Sequence, residues 1–381
     1  MEARKALIYR NELLPLSETF ILSQASALRR FVPVFAGLMR VNDSLDLAQH
    51  PVLTLGKSES WREKARRQVF LRTGRTRRFL HAIEAQRPQF IHAHFAIDAC
   101  AVLPVAKKLR IPLIVTLHGY DVSCSDETLR LWPTTRAYLQ RKEKLWAYAD
   151  AFFCVSESVR RRALALGFPA GKLWVHRIGI KLHDCNKQEQ HRDDKAVLFV
   201  GRLVGKKGCI HLIHAMSRVQ KAIPRARLVI VGDGPLRKML ESEAASCCSN
   251  AVFLGHKSNV DVRQWMQRAR VLVAPSVRAR NGDSEGLPTV ICEAQAERLP
   301  VIAFATEGVT EAFPIERHAP MPQEGDVVAL ADEIIRLMKD DCAWQQASEA
   351  GRRYMEAHFD LDAQTRLLED KYEEVIARHR A

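Results

Sequence analysis

Short apolar runs alternate with longer amphipathic segments along most of the chain. The runs contain about four to eight residues rich in Val, Ile and Leu, which is typical of strands buried in a parallel sheet. The segments between them have helical length, so the pattern predicts α/β structure with doubly wound sheets. The predicted strands are residues 5–9, 88–95, 111–117, 151–155, 172–178, 196–200, 227–231, 251–254, 270–274 and 299–303.

A polar segment at residues 181–195 separates the strands into two series. Polar segments of this kind commonly link domains. A chain of 381 residues suggests two or three domains. We therefore expect an N-terminal domain at residues 1–180 and a C-terminal domain at residues 195–355. The predicted helices include residues 136–149, residues 210–220 and the tail from Leu330.

The composition narrows the class of protein. Hydrophobic residues make up 47% of the chain, which is ordinary for a globular protein. The nine cysteines are scattered without a C-x-x-C pair, so they predict buried thiols in a reducing compartment. The start of the chain lacks the apolar core of a signal peptide, and no apolar run approaches the length of a membrane-spanning helix. We expect a cytoplasmic protein.

The excess positive charge lies in the first half of the chain. The formal net charge is +14, and residues 1–180 contain 29 Lys and Arg against 15 Asp and Glu. The densest part, Arg62 to Arg78, has eight basic residues and one acidic residue, with Trp61 and Val69-Phe-Leu71 as apolar neighbours. A basic amphipathic segment favours an anionic membrane surface. A solvated helix face is the simpler alternative, and nucleic acid lacks a supporting motif.

The stretch Ser284 to Ala296 has the layout of a phosphate site. A polar loop follows the strand at 270–274, and Pro288 is expected in the first turn of the next helix, whose N-terminus attracts anions. Glu285 and Glu293 would lie about 80° apart around the axis if both are helical. Carboxylates accept hydrogen bonds from hydroxyls, so a sugar nucleotide fits. The alternative is an acidic helix start followed by a solvated Glu.

Two glycine-containing loops follow strands in the second half. Gly201 to Gly208 holds Arg202 and Lys207 before a helix, which suits an anion, although the loop is not a Walker A motif. A solvated basic loop is the alternative. Gly232-Asp-Gly-Pro235 follows the strand at 227–231, but Arg237 stands where a dinucleotide fingerprint needs its third glycine. An ordinary NAD site is therefore not expected.

The motifs together resemble the retaining family 4 glycosyltransferases with the GT-B fold, in the branch that builds exopolysaccharides such as colanic acid and amylovoran. The matching motifs are E-x7-E within N-G-D-S-E-G-L-P-T-V-I-C-E-A, G-R-L-x3-K-G, G-x-G-P, H-G-Y-D at His118 to Asp121, S-E-T-F and H-A-H-F. The resemblance implies two Rossmann-like doubly wound domains facing a cleft. It also implies that the C-terminal helix, residues 360–381, packs back on the first domain.

The resemblance also assigns site residues. The catalytic residues it implies are His118, Glu285, Arg202 and Lys207. The donor-binding residues are Gly201, Arg202, Lys207, Gly232, Gly234, Gly286, Leu287, Pro288 and Glu293. The acceptor side is lined by Ser17, Glu18, Thr19 and Asp121. From the residues alone, Ser17 or Thr19 could instead cap a helix, His118 could be satisfied in a turn, and Asp121 could be an N-cap.

No cofactor and no metal are expected, and the donor would be a UDP- or GDP-sugar. His92 and His94 share one face of a strand, which is conceivable for a metal pair, but no third ligand lies nearby. The D-L-D run at 360–362 is interpreted as chance. Arg202, Lys207 and the helix N-terminus would stabilise charge on the leaving diphosphate in place of a metal. Retention could proceed by front-face attack, in which the departing phosphate oxygen takes the acceptor proton, or by a double displacement that uses Glu285.

The expected function is retaining transfer of a hexose to a lipid-linked saccharide in bacterial exopolysaccharide or lipopolysaccharide synthesis. The protein would lie on the inner face of the cytoplasmic membrane, bound through its basic N-terminal domain. Two alternatives remain: a sugar-nucleotide 2-epimerase of the same fold, and a non-catalytic membrane-associated scaffold. Departures from the family pattern occur at Lys181, at Glu297-Arg298 and at Glu307.

Overall fold

A computed structural model gives the fold as two compact units. Unit 1 comprises Met1–Gly179 together with Leu361–Ala381, and unit 2 comprises Ile180–Asp360. The residues that the structure describes are 3–15, 18–41, 47, 49–56, 60–73, 76–183, 193–314 and 321–381.

Unit 1 contains a seven-stranded parallel sheet in the order β5-β3-β1-β6-β7-β8-β9. Its central strands are almost fully buried, which is typical of a sheet covered by helices on both faces and explains their continuous apolar runs, whereas the edge strands β5 and β9 are half-buried. A short parallel pair, β2 and β4, lies beside it. The strands are β1 Lys5–Tyr9, β2 Glu12–Leu13, β3 Val32–Gly37, β4 Met39–Arg40, β5 Val52–Thr54, β6 Phe90–His94, β7 Leu113–Leu117, β8 Ala151–Cys154 and β9 Leu173–Val175.

The helices of unit 1 include the last helix of the chain. They are α1 Thr19–Ser26, α2 Trp61–Thr73, α3 Arg77–Ala85, α4 Ala96–Leu109, α5 Tyr120–Ser123, α6 Asp126–Arg130, α7 Pro133–Leu139, α8 Lys142–Tyr148, α9 Glu157–Ala165 and α16 Leu361–Arg380. α16 places Leu368, Tyr372, Val375 and Ile376 in the core of this unit. The buried apolar stripe of α16 therefore ties the end of the chain to the first sheet.

Unit 2 contains a five-stranded parallel sheet in the order β12-β11-β10-β13-β14. Its strands are β10 Asp193–Val200, β11 Arg227–Val231, β12 Ala251–Gly255, β13 Ala269–Ala274 and β14 Val301–Ala303. Its helices are α10 Cys209–Ala222, α11 Arg237–Cys247, α12 Asn259–Arg268, α13 Thr289–Ala296, α14 Val327–Lys339 and α15 Asp341–His358. The strand order reverses at β10 and β13, so their carboxyl ends open a crevice where ligands of such sheets bind.

The ten predicted strands are confirmed, with end shifts of at most three residues. The single helix predicted at 136–149 is wrong, because two helices, α7 and α8, meet at Gln140 and Arg141. Arg141 leaves helical geometry there, and its guanidinium donates to the carbonyls of Leu71 and Arg72 at the end of α2. Within the described residues, no helix is both long and apolar enough to cross a bilayer.

Most of the predicted linker at 181–195 lies outside the described residues. β10 begins at Asp193, inside that segment. The chain passes from unit 1 to unit 2 at Gly179 and returns at Leu361. A Cβ at Gly179 would lie 2.7 Å from the Cα of Leu361, so only glycine permits this approach.

Candidate active site

In unit 2 the predicted donor-binding residues of the E-G-L-P stretch and the G-R-L-x3-K-G loop lie on two adjoining loops. These loops follow β10 and β13. Gly208 brings them together, because its φ is +64° and a Cβ there would overlap the carbonyl oxygen of Pro275. Val277 also donates its backbone N–H to the carbonyl of Lys206, at 2.8 Å. The two loops therefore form one polar surface at the carboxyl edge of the sheet.

Two adjacent lysines on the first loop pair two carboxylates on the second. The Nζ of Lys207 lies 2.9 Å from Oε1 of Glu285, and the Nζ of Lys206 lies 3.0 Å from Oδ2 of Asp283. None of the four side chains is more than 19% exposed, so solvent screening is weaker than for surface pairs. Sequence reasoning selected Lys207 and Glu285 and missed the second pair, which the repeated Lys-Lys and Asp-x-Glu spacing could have indicated.

The Glu285 carboxylate is ionised at neutral pH. Burial works to raise its pKa, but the positive charges of Lys207, Lys206 and Arg202 outweigh burial and hold the pKa below its ordinary value. Arg202 itself is exposed, and its guanidinium has no hydrogen-bonding partner within the described part of the chain. The loop after β10 thus carries Lys207, which is already paired with Glu285, and Arg202, whose guanidinium is available to an anion.

Glu293 lies inside α13 and is partly buried. Burial alone raises the pKa of Glu293 to about 7. No described residue pairs with its carboxylate. A half-buried carboxylate without a partner at a crevice is the kind of group that binds a polar ligand.

The helix carrying Glu293 starts one residue later than expected. Pro288 is the N-cap of α13, and Thr289 is its first residue, so the prediction of proline within the first turn is wrong. Glu285 lies in the loop before the helix, so the 80° relation between the two glutamates, which required both to be helical, does not hold. Leu287 is 7% exposed and anchors the loop, while Gly286 is buried beside it.

A third loop fixes the position of Glu285. Gly308, after β14, has a φ of +80°, and a Cβ there would meet the carbonyl oxygens of Glu285 and Gly286. Of the two positions 307 and 308, only the second therefore requires glycine, and the exposed Glu307 is tolerated. The sequence could not predict the contact of Gly308 with Glu285 and Gly286, because that contact depends on how β14 lies beside β13.

Gly232 and Gly234 serve close packing of backbones. A Cβ on Gly232 would overlap the carbonyl oxygen of Gly201, and one on Gly234 would lie 2.6 Å from that of Leu203. Arg237, in place of a third glycine, pairs with Asp233 at 2.8 Å and with Glu241 at 2.7 Å. The loops after β10 and β11 therefore pack against one another beside Arg202. Position 237 lacks the third glycine of a dinucleotide fingerprint.

The departure at Glu297-Arg298 has a local explanation. Glu297 is buried and accepts hydrogen bonds from Arg263 at 2.6 Å and Gln267 at 2.8 Å, both on α12. Arg298 has a φ of +58°, the left-handed conformation that glycine normally supplies after a helix. The pair therefore adds an ion pair between α12 and α13 at the expense of backbone strain.

In unit 1, His118 follows β7 and contacts a second histidine. Its Nε2 lies 3.0 Å from Nδ1 of His94, at the end of β6, and the two rings meet edge to edge with centroids 5.3 Å apart. Burial, with the positive charge of Arg10, lowers the pKa of His118 to about 3. His118 is therefore neutral at physiological pH.

Asp121 joins two loops of unit 1. Its Oδ1 accepts the backbone N–H of Ala96 at 2.7 Å, and its Oδ2 accepts that of His118 at 3.0 Å. It lies within α5, whose N-cap is Gly119, so it is not the N-cap of its own helix. Burial raises the pKa of Asp121 to about 6, although these two amides oppose the rise. The Asp121 carboxylate thus holds the backbone of His118 beside that of Ala96.

The predicted acceptor segment contains an ion-paired glutamate. Both carboxylate oxygens of Glu18 accept from the guanidinium of Arg10, at 2.8 and 2.9 Å. Arg10 also donates to Asp98 and stacks over the ring of Phe95. Glu18 occupies the N-cap position of α1, and its side chain makes no capping hydrogen bond. Thr19 is therefore in the first turn and does not cap the helix. Ser17 lies outside the described residues.

His92 is part of the core. Its ring nitrogens contact the hydroxyls of Tyr372, at 2.6 Å, and Thr116, at 2.7 Å. Burial, followed by His94 and His176, holds the pKa of His92 well below its ordinary value. Across the described ranges, no three His, Cys, Asp or Glu side chains converge as metal ligands would.

Comparison with known families identifies both halves of the chain. Residues 18–184 match the family model described as Glycosyltransferase Family 4. Residues 183–354 match the model described as Glycosyl transferases group 1. The two matches adjoin near the boundary between the units and together span most of the chain.

Among curated proteins, TuaC of Bacillus subtilis (strain 168), assigned to teichuronic acid biosynthesis, is 29% identical over 76% of this chain and 71% of its own length. The amylovoran biosynthesis glycosyltransferase AmsK of Erwinia amylovora is 26% identical over 71% of this chain and 65% of its own length. The aligned regions thus leave about a third of each relative uncovered.

Among solved structures, HepE of Anabaena, in complex with UDP and glucose, superimposes with a TM-score of 0.77. The match covers 97% of this chain and 100% of HepE at 18% identity, so it shows the fold alone. Two parallel α/β units with this match confirm the predicted GT-B fold class, and the two family models confirm the resemblance. The N-terminal half of the chain therefore matches glycosyltransferase family 4, and the C-terminal half matches the group 1 glycosyl transferases.

Proposed function

We propose that this glycosyltransferase moves a hexose from a nucleotide-diphosphate sugar to a lipid-linked saccharide, with retention at the anomeric carbon and without a metal ion. The product would enter a bacterial exopolysaccharide or lipopolysaccharide. The proposal is carried by the cluster of Arg202, Lys207, Glu285 and Glu293 on two adjoining loops of unit 2. The assignment of TuaC and AmsK to polysaccharide synthesis supports the product class.

Each group of the cluster has a chemical task in this proposal. Arg202 and Lys207 bind the diphosphate, beside the N-terminus of α13. Glu293 accepts hydrogen bonds from the ribose hydroxyls, which suits a carboxylate without another partner. Gly201, Gly232 and Gly234 let backbone approach the nucleotide, and Gly286 to Pro288 shape the loop before α13. The nucleotide of the donor is UDP or GDP, and the donor screen described below distinguishes the two.

The transfer step requires stabilisation of the leaving group. As the bond from C1 of the sugar to the β-phosphate oxygen breaks, negative charge collects on the diphosphate, and Arg202 and Lys207 offset it. The acceptor hydroxyl attacks C1 from the same face, and its proton passes to the departing phosphate oxygen. Glu285 holds Lys207 in place, and a neutral His118 contacts the transferred sugar.

The acceptor side is assigned to the loops of unit 1. Because Glu18 and Asp121 already accept two hydrogen bonds each, we propose that they shape this surface rather than bind the acceptor directly. Thr19 supplies a hydroxyl there.

A basic surface of unit 1 is proposed to bind the inner face of the cytoplasmic membrane. We define it by exposed side chains on α2 and α3 that share a positive charge: Arg62, Lys64, Arg66, Arg72, Arg77 and Arg78. Trp61 is 74% exposed beside it, and Val69 is 50% exposed. Phe70 and Arg67 were predicted to belong to this surface, and both predictions are wrong. Phe70 is fully buried against Phe79, and Arg67 is buried with its guanidinium near Met39. Arg75 lies outside the described residues.

The test is a donor screen with purified protein. UDP- and GDP-hexoses are incubated with and without a polyprenyl-diphosphate saccharide, in the presence of EDTA. We expect transfer only with acceptor and from one nucleotide class, with the anomeric configuration of the donor retained in the NMR spectrum of the product. An isomerised nucleotide sugar formed without acceptor would indicate an epimerase. Activity lost in EDTA and restored by Mg²⁺ would contradict the metal-free mechanism, and no turnover at all would favour a scaffold.

A further inference from the structure

The mechanism proposed above uses His118 but not the second histidine that holds it. Nδ1 of His94 lies 3.0 Å from Nε2 of His118, and the two rings are nearly coplanar, with an interplanar angle of 25°. Phe95 and Phe20 contact the same imidazole, with ring centroids 4.6 and 5.2 Å away. The plane of the His118 ring is therefore fixed, and its Nε2 is occupied.

Only one proton lies between the two ring nitrogens. Both imidazoles are neutral at ordinary pH, since burial lowers the pKa of His118 to about 3 and holds that of His94 well below its usual value. The guanidinium of Arg10, which stacks on Phe95, adds to both effects. A neutral pair at hydrogen-bond distance needs one nitrogen as donor and the other as acceptor.

Two arrangements of that proton are possible. With the proton on Nε2 of His118, that nitrogen donates to Nδ1 of His94, and each ring is in the Nε2–H tautomer that neutral imidazoles intrinsically favour. With the proton on Nδ1 of His94, both rings are in the less favoured Nδ1–H tautomer. The first arrangement is therefore lower in energy. It leaves a lone pair on Nδ1 of His118, which accepts no hydrogen bond from any described residue.

We propose that His94 is a positioning residue that fixes His118 with a bare Nδ1, so that the site accepts a hydrogen bond from one hydroxyl of the transferred sugar. This inference rests on the proposed function, in which His118 contacts the donor sugar. It adds a specificity rule, because a site built to bond a hydroxyl rejects an analogue that cannot donate. Fluorine accepts weakly and donates nothing, so a fluoro sugar should fail there as a deoxy sugar does.

The tautomer is measured first, without any turnover. Imidazole ¹⁵N shifts are recorded on the full chain, and the His118 signals are assigned by their absence from His118→Ala. We expect a pyrrole-like Nε2 and a pyridine-like Nδ1. In His94→Phe, which keeps a ring but loses the partner nitrogen, the two His118 signals should move towards averaged values. His94→Asn places an amide near the lost Nδ1 and should restore the wild-type shifts.

The specificity rule is then measured with monodeoxy and monofluoro forms of the donor sugar that the screen identifies. At one ring position, both replacements should lower kcat/KM of the wild-type enzyme by roughly tenfold or more. In His94→Phe this discrimination should shrink to about a few-fold, while His94→Asn should keep it. Circular dichroism of each variant shows whether it is folded.

The outcomes separate the two claims. A pyrrole-like Nδ1 on His118, or a fluoro donor used as well as the parent sugar at every position, would overturn the inference. Shifts and discrimination that are unchanged in a folded His94→Phe would also overturn it. The predicted tautomer in a protein that turns over no nucleotide sugar would instead overturn the proposed function.

Discussion

The ammonium group of Lys207 lies 2.9 Å from the carboxylate of Glu285, which positions the lysine before any anion arrives. The neighbouring Lys206 makes a similar contact with Asp283. Both pairs join the loop after β10 to the loop after β13. The two lysines therefore have similar structural contacts, and only one of them is proposed to act on the diphosphate. This likeness provides a matched control for the catalytic assignment.

Replacing Lys207 by Ala should lower kcat by roughly 100-fold or more, because one stabiliser of the leaving diphosphate is lost. Lys206→Ala should cost less than about tenfold, since it removes a similar loop contact without a catalytic group. Steady-state kinetics with the donor from the screen give both values. Equal losses in the two variants would mean that the lysines only hold the loops together.

Arg202→Ala separates catalysis from stability. Its guanidinium is exposed and has no partner among the described residues, so its removal should change the free energy of unfolding by less than about 0.5 kcal/mol. The same change should lower kcat by roughly 100-fold. Urea unfolding and kinetics on one preparation measure both quantities. A large loss of stability with normal turnover would show a structural role instead.

The donor affinity should depend on pH through Glu293. Burial raises its pKa to about 7 in the free protein, so the carboxylate is mostly protonated at pH 6 and mostly ionised at pH 8. The ionised form is the better hydrogen-bond acceptor for ribose hydroxyls. The affinity for a nucleotide sugar should therefore rise by up to roughly tenfold from pH 6 to pH 8.

Calorimetry at several pH values measures this dependence. Glu293→Gln should bind the donor more weakly at pH 8 and show little change with pH. Glu285 does not titrate in this range, because its pKa is held below the ordinary value. A pH dependence that persists in Glu293→Gln would assign it to another group.

The fold was largely predictable from the sequence because each buried parallel strand appears as an apolar run, as at residues 227–231. Strand β3, Val32–Gly37, was not predicted, because Pro33 and Gly37 interrupt its apolar run. In the structure β3 pairs with both β1 and β5. The motif residues near Glu285 could be selected from their spacing. The partners of Glu18 and His118 could not, because these contacts join residues from different strands and loops.

Arg298 provides a test of backbone strain. Its φ of +58° is unfavourable for any side chain with a Cβ, by roughly 1 kcal/mol, and glycine avoids this. Arg298→Gly should therefore be more stable than Arg298→Ala by about 1 kcal/mol, since both lose the same guanidinium. Denaturant unfolding of the two variants measures the difference. Equal stabilities would show that the left-handed conformation is not strained.

The basic surface of unit 1 should bind anionic membranes. Each Lys or Arg close to an anionic bilayer contributes on the order of 1 kcal/mol, and this attraction extends over roughly 8–10 Å at physiological ionic strength. The protein should therefore sediment with phosphatidylglycerol liposomes and remain in solution with phosphatidylcholine liposomes. Added salt should release it.

The matched variants change four positive charges each. Replacing Arg66, Arg72, Arg77 and Arg78 by Ser should abolish sedimentation and leave hydrolysis of the donor unchanged, because these exposed side chains lie outside the donor-binding unit. The control replaces four exposed basic residues of unit 2 by Ser, namely Lys221, Arg225, Lys257 and Lys339. This control has the same net charge, so it distinguishes a local surface from a general effect of charge.

Equal loss of binding in both variants would indicate the general effect. Retained binding in the first variant would show that another surface, such as the exposed Leu131 and Trp132 before α7, makes the contact.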